Sequence, residues 1–187
     1  NFGELGVYSE HGTADRTTCR IPMIIKWPGT AAGQVDSGFH YNIDLAPTVA
    51  ELLGGTPWAR WDGRSYAASL KDGRDTGRDE LVLSQNCHVC QRSVRWDRWL
   101  YMRTYHDGFH PHFADEMLFD LEADPHETTD LAASNPDIVA EGRSRLEAWK
   151  SRMLASMPEG HTTDPMETVL AEDPEHARID RVPIQAY

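Results

Sequence analysis

The sequence predicts an α/β chain in which one strand and helix of a layered, mostly parallel sheet are followed by a small antiparallel sheet with a packed helix. Three observations carry that prediction. A short run that is apolar on both faces, IPMIIKW from Ile21 to Trp27, leads through a turn into a helical pattern. Three later segments rich in aromatic and β-branched residues are separated by turn residues. One long amphipathic stretch follows them.

The first twenty residues, NFGELGVYSEHGTADRTTCR, are rich in Gly, Thr and charge and read as a loop. IPMIIKWPG then reads as a buried strand closed by Pro28-Gly29, because apolar residues on both faces suit a strand between two helix layers. After the turn TAAGQVDSG, the segment HYNIDLAPTVAELLGG carries both helix signals: Asp44 as N-cap with Pro47 in the first turn, and Gly54-Gly55 at the end. Leu45, Val49, Leu52 and Leu53 would form the stripe that packs on the preceding strand. The stretch from Thr56 to Glu80 alternates Gly and charge and is expected to be surface loop, with one helical turn at Tyr66 to Leu70.

ELVLSQ, RSVRWDRWLYMRTY and EMLFDL are the three strand segments of the antiparallel sheet. SNPDIVAEGRSRLEAWKSRML follows, opened by Asn135-Pro136, with Ile138, Val139, Leu146, Trp149 and Met153 near one face. From Pro158 the chain is Pro- and acid-rich and is expected to be an extended tail. The organisation that results is an α/β part over 1–75, a sheet-plus-helix subdomain over 76–157 and a tail over 158–187.

Composition narrows the function. At 187 residues, with 40% hydrophobic and 26% charged residues, the chain has globular composition. Its formal charge of -12 repels phosphate backbones and anionic membranes, which argues against nucleic acid as a partner, while a pocket with a few local cations could still take a small anion. The longest apolar stretch, around Ile21 to Trp27, is far too short to span a bilayer. Three cysteines, an odd number, do not make a disulfide framework and point weakly to a reducing compartment, cytoplasmic over periplasmic. The chain opens at Asn1 inside motif-like sequence, so a preceding segment is expected.

Three segments, in this order, resemble the sulfatase family of the alkaline phosphatase superfamily. HGTADRTTCRIPMIIKWPG is similar to the family's Lys-Gly-Thr loop leading to an Arg-Val-Pro strand. NIDLAPTVAELLG is similar to its Asp-Leu-x-Pro-Thr helix. MLFDLEADPHETTDLA is similar to its Leu-Tyr-Asp-Leu-x-x-Asp-Pro-x-Glu-x-x-Asn-Leu element. The resemblance implies that residues 1–75 are the end of an alkaline-phosphatase-like layered sheet. It also implies hydrolysis of a sulfate ester by a formylglycine nucleophile, with Ca2+ (or Mg2+/Mn2+) held by oxygen ligands offsetting the oxyanion charge. The family's Cys- or Ser-x-Pro-x-Arg nucleophile segment is absent, since neither Cys19, Cys87 nor Cys90 is followed by that pattern, and the metal ligands are expected upstream of Asn1. The partners implied are a sulfated small molecule and the N-terminal part of the same protein; a homo-oligomer is compatible with this.

His11 stands where the family carries the lysine that binds sulfate and leaving oxygens, with Gly12 and Thr13 matching beside it, so His11 is the candidate catalytic residue and Thr13 a substrate-binding one. The change from lysine matters: an imidazole can donate a proton but carries full charge only on the acid side of about pH 6.5. His88, in a loop beside the site, His106, in a loop after a strand, and His161, in a tail that could reach back, are the other substrate-binding candidates. His110 and His112 read as loop histidines. Cys87-His88-Val89-Cys90 lacks the second ligand pair that structural zinc needs. Arg92, Arg95 and Arg103 read as a solvated face or as partners of nearby Asp. No metal ligand is assigned within the chain. The alternatives are a phosphodiester or phosphonate monoester hydrolase of the same superfamily, and a non-catalytic binding or assembly domain.

Overall fold

The computed structural model describes residues 3–7, 11–30, 32–86, 89–107, 110–157 and 162–172. The chain divides into two compact units, one made of residues 1–20 with 82–187 and the other of residues 21–81. The architecture is α/β, with a small four-stranded sheet and a packed helix.

In the first unit, β1 (Glu80–Asn86), β2 (Cys90–Trp96), β3 (Trp99–His106) and β4 (Glu116–Asp120) lie side by side in chain order. The segment RSVRWDRWLYMRTY, expected to be one strand, is instead a hairpin. Asp97, at φ 45°, and Arg98 turn the chain so that Trp96 pairs with Trp99 and Arg92 with Arg103. The period of two then sorts the side chains between two cores. Leu100, Met102, Met117 and Phe119 join Val7, Val89 and Phe113 on one face. Val94, Trp96, Tyr101 and Leu118 meet Val139 and Leu146 of α4 (Pro136–Ser156) on the other.

The helix α4 starts at Pro136 as the sequence indicates, and its Ile138 and Trp149 also pack against this second core. Close approach requires Gly142, where an added Cβ would lie 2.4 Å from Tyr101 Cβ. The expected extended tail is helical over α5 (Pro165–Glu172), because Asp164 and Met166, at 3% and 1% exposure, have buried partners that tie the segment down. Asp164 receives both guanidinium nitrogens of Arg92. Arg92 is therefore the buried partner of an aspartate, the second of its two readings, and not part of a solvated face, whereas Arg103 bridges to Glu116 at 3.5 Å.

In the second unit, α2 (Leu45–Leu52) and α3 (Ala67–Asp72) match the helical signals. Two details differ. Asp44 does not cap α2: residues 42–44 form a 3-10 turn, so its carboxylate reaches back to accept from the N–H groups of Tyr41 at 2.8 Å and Arg64 at 2.7 Å, and pairs with Arg78. The buried residues of α2 are Pro47 and Thr48, while Leu45 and Leu53 are exposed.

Residues 21–27, expected to be a buried strand, form none, and Ile24 is 99% exposed. A strand's N–H and C=O groups need a paired neighbour, and among the described residues the paired strands are those of the β1–β4 sheet. No helix among the described residues is long and apolar enough to cross a membrane.

Candidate functional site

The candidate site is the opening loop, residues 11–19, which lies in the same unit as the sheet. Its sequence of Thr, Asp and Thr folds it locally. Asp15 caps the single turn α1 (Arg16–Cys19), accepting from Thr18 N at 2.7 Å and Thr18 Oγ1 at 2.8 Å, and also from the Thr13 hydroxyl. Thr13, Ala14 and Asp15 are buried as a result, at 1%, 0% and 1% exposure, whereas His11 is exposed. Residues 13–15 are therefore pinned beneath the surface while His11 beside them is exposed.

Three side chains hold this segment by gripping backbone. Gln91 Oε1 accepts from Ala14 N at 3.2 Å, Ser93 Oγ donates to Ala14 O at 2.5 Å, and Glu127 Oε1 accepts from Arg16 N at 2.9 Å. Gln91 and Ser93 are two apart on β2, so the strand's alternation turns both to the loop. Gln91 Nε2 also donates to Thr104 Oγ1 at 3.2 Å, and Arg16 Nη1 donates to Pro125 O at 2.9 Å. The single residues of the sequence motifs did not indicate Gln91 or Ser93. Glu127 stood inside ADPHETTDLA, where its fixed place after Asp124-Pro125 was the available signal.

The other candidates are distributed as follows. Alternation from Leu100 and Met102 places Thr104 on the loop's side of β3, and His106, beyond a register shift opposite Cys90 and Gln91, is half-buried and in register with Cys90. His88 and His161 lie outside the described residues. His112 Nε2 meets Leu5 O at 2.8 Å, and its ring packs edge-on against His110 and tilted against Phe113. A cleft of about 390 Å³ opens beside it, lined in part by Gly6, His112, Phe113, Glu127 and Asp130. Its polar wall is largely committed, since Asp130 already accepts from the Leu118 and Ala132 N–H groups.

Electrostatics single out two groups. Burial, reinforced by the nearby Asp15 carboxylate, pushes the Glu127 carboxyl up to about 8 despite the Arg16 N–H, and its Oε2 has no hydrogen-bond partner. Burial and Asp15 likewise raise the Cys19 thiol to about 11, so it is no nucleophile at neutral pH. Cys19 and Cys90 are free thiols.

Among the described residues no group of three His, Cys, Asp or Glu side chains could hold a metal ion. The buried carboxylates Asp15, Asp44, Asp120 and Asp164 already receive internal donors. These residues do not fit a calcium site of their own.

Comparison with known proteins identifies the family. Residues 3–151 match the family described as N-sulphoglucosamine sulphohydrolase, C-terminal. The chain is 30% identical over 177 residues to the multifunctional alkaline phosphatase superfamily protein PehA of Trinickia caryophylli, covering 77% of this chain and 32% of that protein. It is 33% identical over 148 residues to the choline-sulfatase of Rhizobium meliloti, covering 72% of this chain and 25% of that one. The fold is shared with the solved structure of BT4656 in complex with its substrate D-glucosamine-2-N,6-O-disulfate, at a TM-score of 0.58 and 17% identity over 71% of this chain and 28% of that one. The chain thus spans a quarter to a third of the length of these relatives. By these matches, and by the three collinear motifs, the chain belongs to the sulfatase family of the alkaline phosphatase superfamily, whose C-terminal portion it matches.

Proposed function

We propose that this chain contributes the C-terminal part of a sulfatase-type hydrolase that cleaves a sulfate ester, the formylglycine nucleophile and the divalent cation being carried by polypeptide outside residues 1–187. The match of residues 3–151 to a C-terminal sulfatase model is the observation that carries this reading. The apolar surface supports it. Among the described residues, nine of the ten exposed large hydrophobics fall between Ile21 and Trp61, including Val35 at 93% and Trp58 at 58%, and such a concentration marks a surface meant to be covered. Its occupant, in this proposal, is the rest of the α/β layer, which would also give residues 21–27 the strand partner they lack.

Within the completed site, His11 donates a hydrogen bond or proton to the leaving oxygen as the sulfur–oxygen bond breaks. His106, at the end of β3, lines the pocket for the rest of the substrate, and Thr13 supports the loop, its hydroxyl already donating to Asp15. The cation, when bound by its own ligands, offsets the charge of the sulfate oxygens. The substrate class is a sulfated small molecule, as for the relative whose substrate is a glucosamine disulfate. The similarity to a multifunctional superfamily member keeps a second reading in play, transfer of a phosphoryl or phosphonyl group.

The test is to supply the remaining polypeptide and compare turnover of an aryl sulfate with that of an aryl phosphonate monoester. Preference for the sulfate supports the proposal, and preference for the phosphonate replaces it with the second reading. No turnover of either ester by the completed enzyme leaves the chain as a binding or assembly domain.

A further inference from the structure

The third motif contains a buried carboxyl group, Glu127, that the proposed chemistry does not use. Glu127 is 2% exposed, stands in a left-handed backbone conformation at φ 56°, and comes from the turn after β4, 111 residues from the backbone N–H it accepts. A non-glycine residue held there is strained unless its surroundings determine it. Its partner is Arg16 N, in the first turn of α1, and the same segment is gripped from β2 by Gln91 and Ser93, both fully buried.

We propose that Glu127, together with Gln91 and Ser93, is a positioning residue for His11, fixing the backbone of residues 14–16 so that the loop presents the imidazole in one place. This rests on the reading of His11 as the group that faces the ester. Two strand residues and one turn residue hold three consecutive peptide groups from two directions, which removes the freedom of a loop that has little apolar surface of its own to anchor it. The charged and titratable groups facing Glu127 are Asp15, Arg16 and Cys19 from the loop and α1, Asp124 from its own turn and Arg95 from β2. Burial and the nearby Asp15 carboxylate favour the neutral form of Glu127, and glutamine reproduces its shape without the charge.

The test uses the whole chain and four proteins: wild type, Glu127→Leu, Glu127→Gln and Ser93→Ala. Amide hydrogen exchange is read at Arg16, Ala14 and the β3 residues Leu100 to Met102, and NMR signals of the His11 ring are followed in parallel. The expected result is that Glu127→Leu speeds exchange at Arg16 by about tenfold or more and shifts the His11 ring signals, while β3 stays protected and Glu127→Gln restores both. Wild-type exchange at Arg16 and unmoved His11 signals in Glu127→Leu overturn the proposal, and so does a loss of protection that spreads equally to β3. Should Glu127→Leu fail to fold, Ser93→Ala decides by the same two readouts at Ala14 and His11. Inorganic sulfate titrated into the enzyme completed with its remaining polypeptide, read at the His11 ring, separately tests the underlying reading: no response sinks that reading and leaves the exchange data to judge the positioning.

Discussion

Arg92 and Asp164, 72 residues apart in sequence, meet as a buried two-pronged ion pair, with Nη2 donating to Oδ1 at 2.8 Å and Nη1 to Oδ2. The guanidinium also lies 5.4 Å from the ring centre of Trp149 on α4, so strand, helix and C-terminal segment converge on one charge. Removing one partner leaves the other buried and unpaired. Asp164→Ala should therefore cost about 3–5 kcal/mol in denaturant unfolding and expose the segment 162–172 to protease. A cost under about 1 kcal/mol would mean the pair is not buried in solution. The Arg92 hydrogen bonds hold the Asp164 carboxyl below its usual range, so the pair's contribution is present above the ordinary carboxylate pKa and fades only in stronger acid.

Glu127 predicts a pH dependence of opposite sign. Its carboxyl is raised from 4.5 to about 8 in the folded chain, so between those values the unfolded state has lost the proton that the folded state keeps. Stability should fall as pH rises through that window, by an amount on the order of 5 kcal/mol, and level off above it. Glu127→Gln should flatten this slope. Unfolding midpoints measured from pH 5 to 9 check it, and identical slopes in the two proteins would refute the assignment.

Gly142 tests the helix-on-sheet contact. Alanine there improves helix propensity by about 1 kcal/mol, yet its Cβ would stand 2.4 Å from Tyr101 Cβ and 2.5 Å from Cγ in a fully buried site. Overpacking should win, giving a net loss of about 1–3 kcal/mol for Gly142→Ala. A raised unfolding midpoint would show that α4 stands farther from β3.

His11 carries the chemical prediction. In the enzyme completed with its remaining polypeptide, His11→Ala should lower kcat by about 100-fold or more, as expected for loss of a general acid. His11→Lys, which restores the family's usual residue, should recover part of it and shift activity to higher pH. Unchanged kinetics in His11→Ala would remove the residue from the site.

The sequence made much of this legible. Asn135-Pro136 marked the start of α4 because a proline needs no N–H partner in a first turn, and the 3.6-residue stripe of Val139 and Leu146 found its buried face. The hairpin between Trp96 and Trp99 was concealed because Asp97-Arg98 is not the glycine-rich pair that usually announces a two-residue turn. The helix α5 was missed for a different reason. Its stability comes from a buried aspartate and methionine whose partners lie far away in sequence, and a local pattern of prolines and acids says nothing of them. In the site, His11 and Thr13 were visible as a motif, whereas Gln91 and Ser93 were indistinguishable from any polar strand residues until β2 was seen beneath the loop.

Local pattern alone thus determined the family, the α/β class, the starts of α2 and α4 and the candidate imidazole, since these follow from residues close together in the chain. Only the tertiary structure decided that residues 21–27 form no strand, that Arg92 is buried, and that Glu127 grips the opening loop. Each of those depends on what another segment offers, a paired strand, a carboxylate or a backbone N–H, and such partners come together only when distant parts of the chain pack.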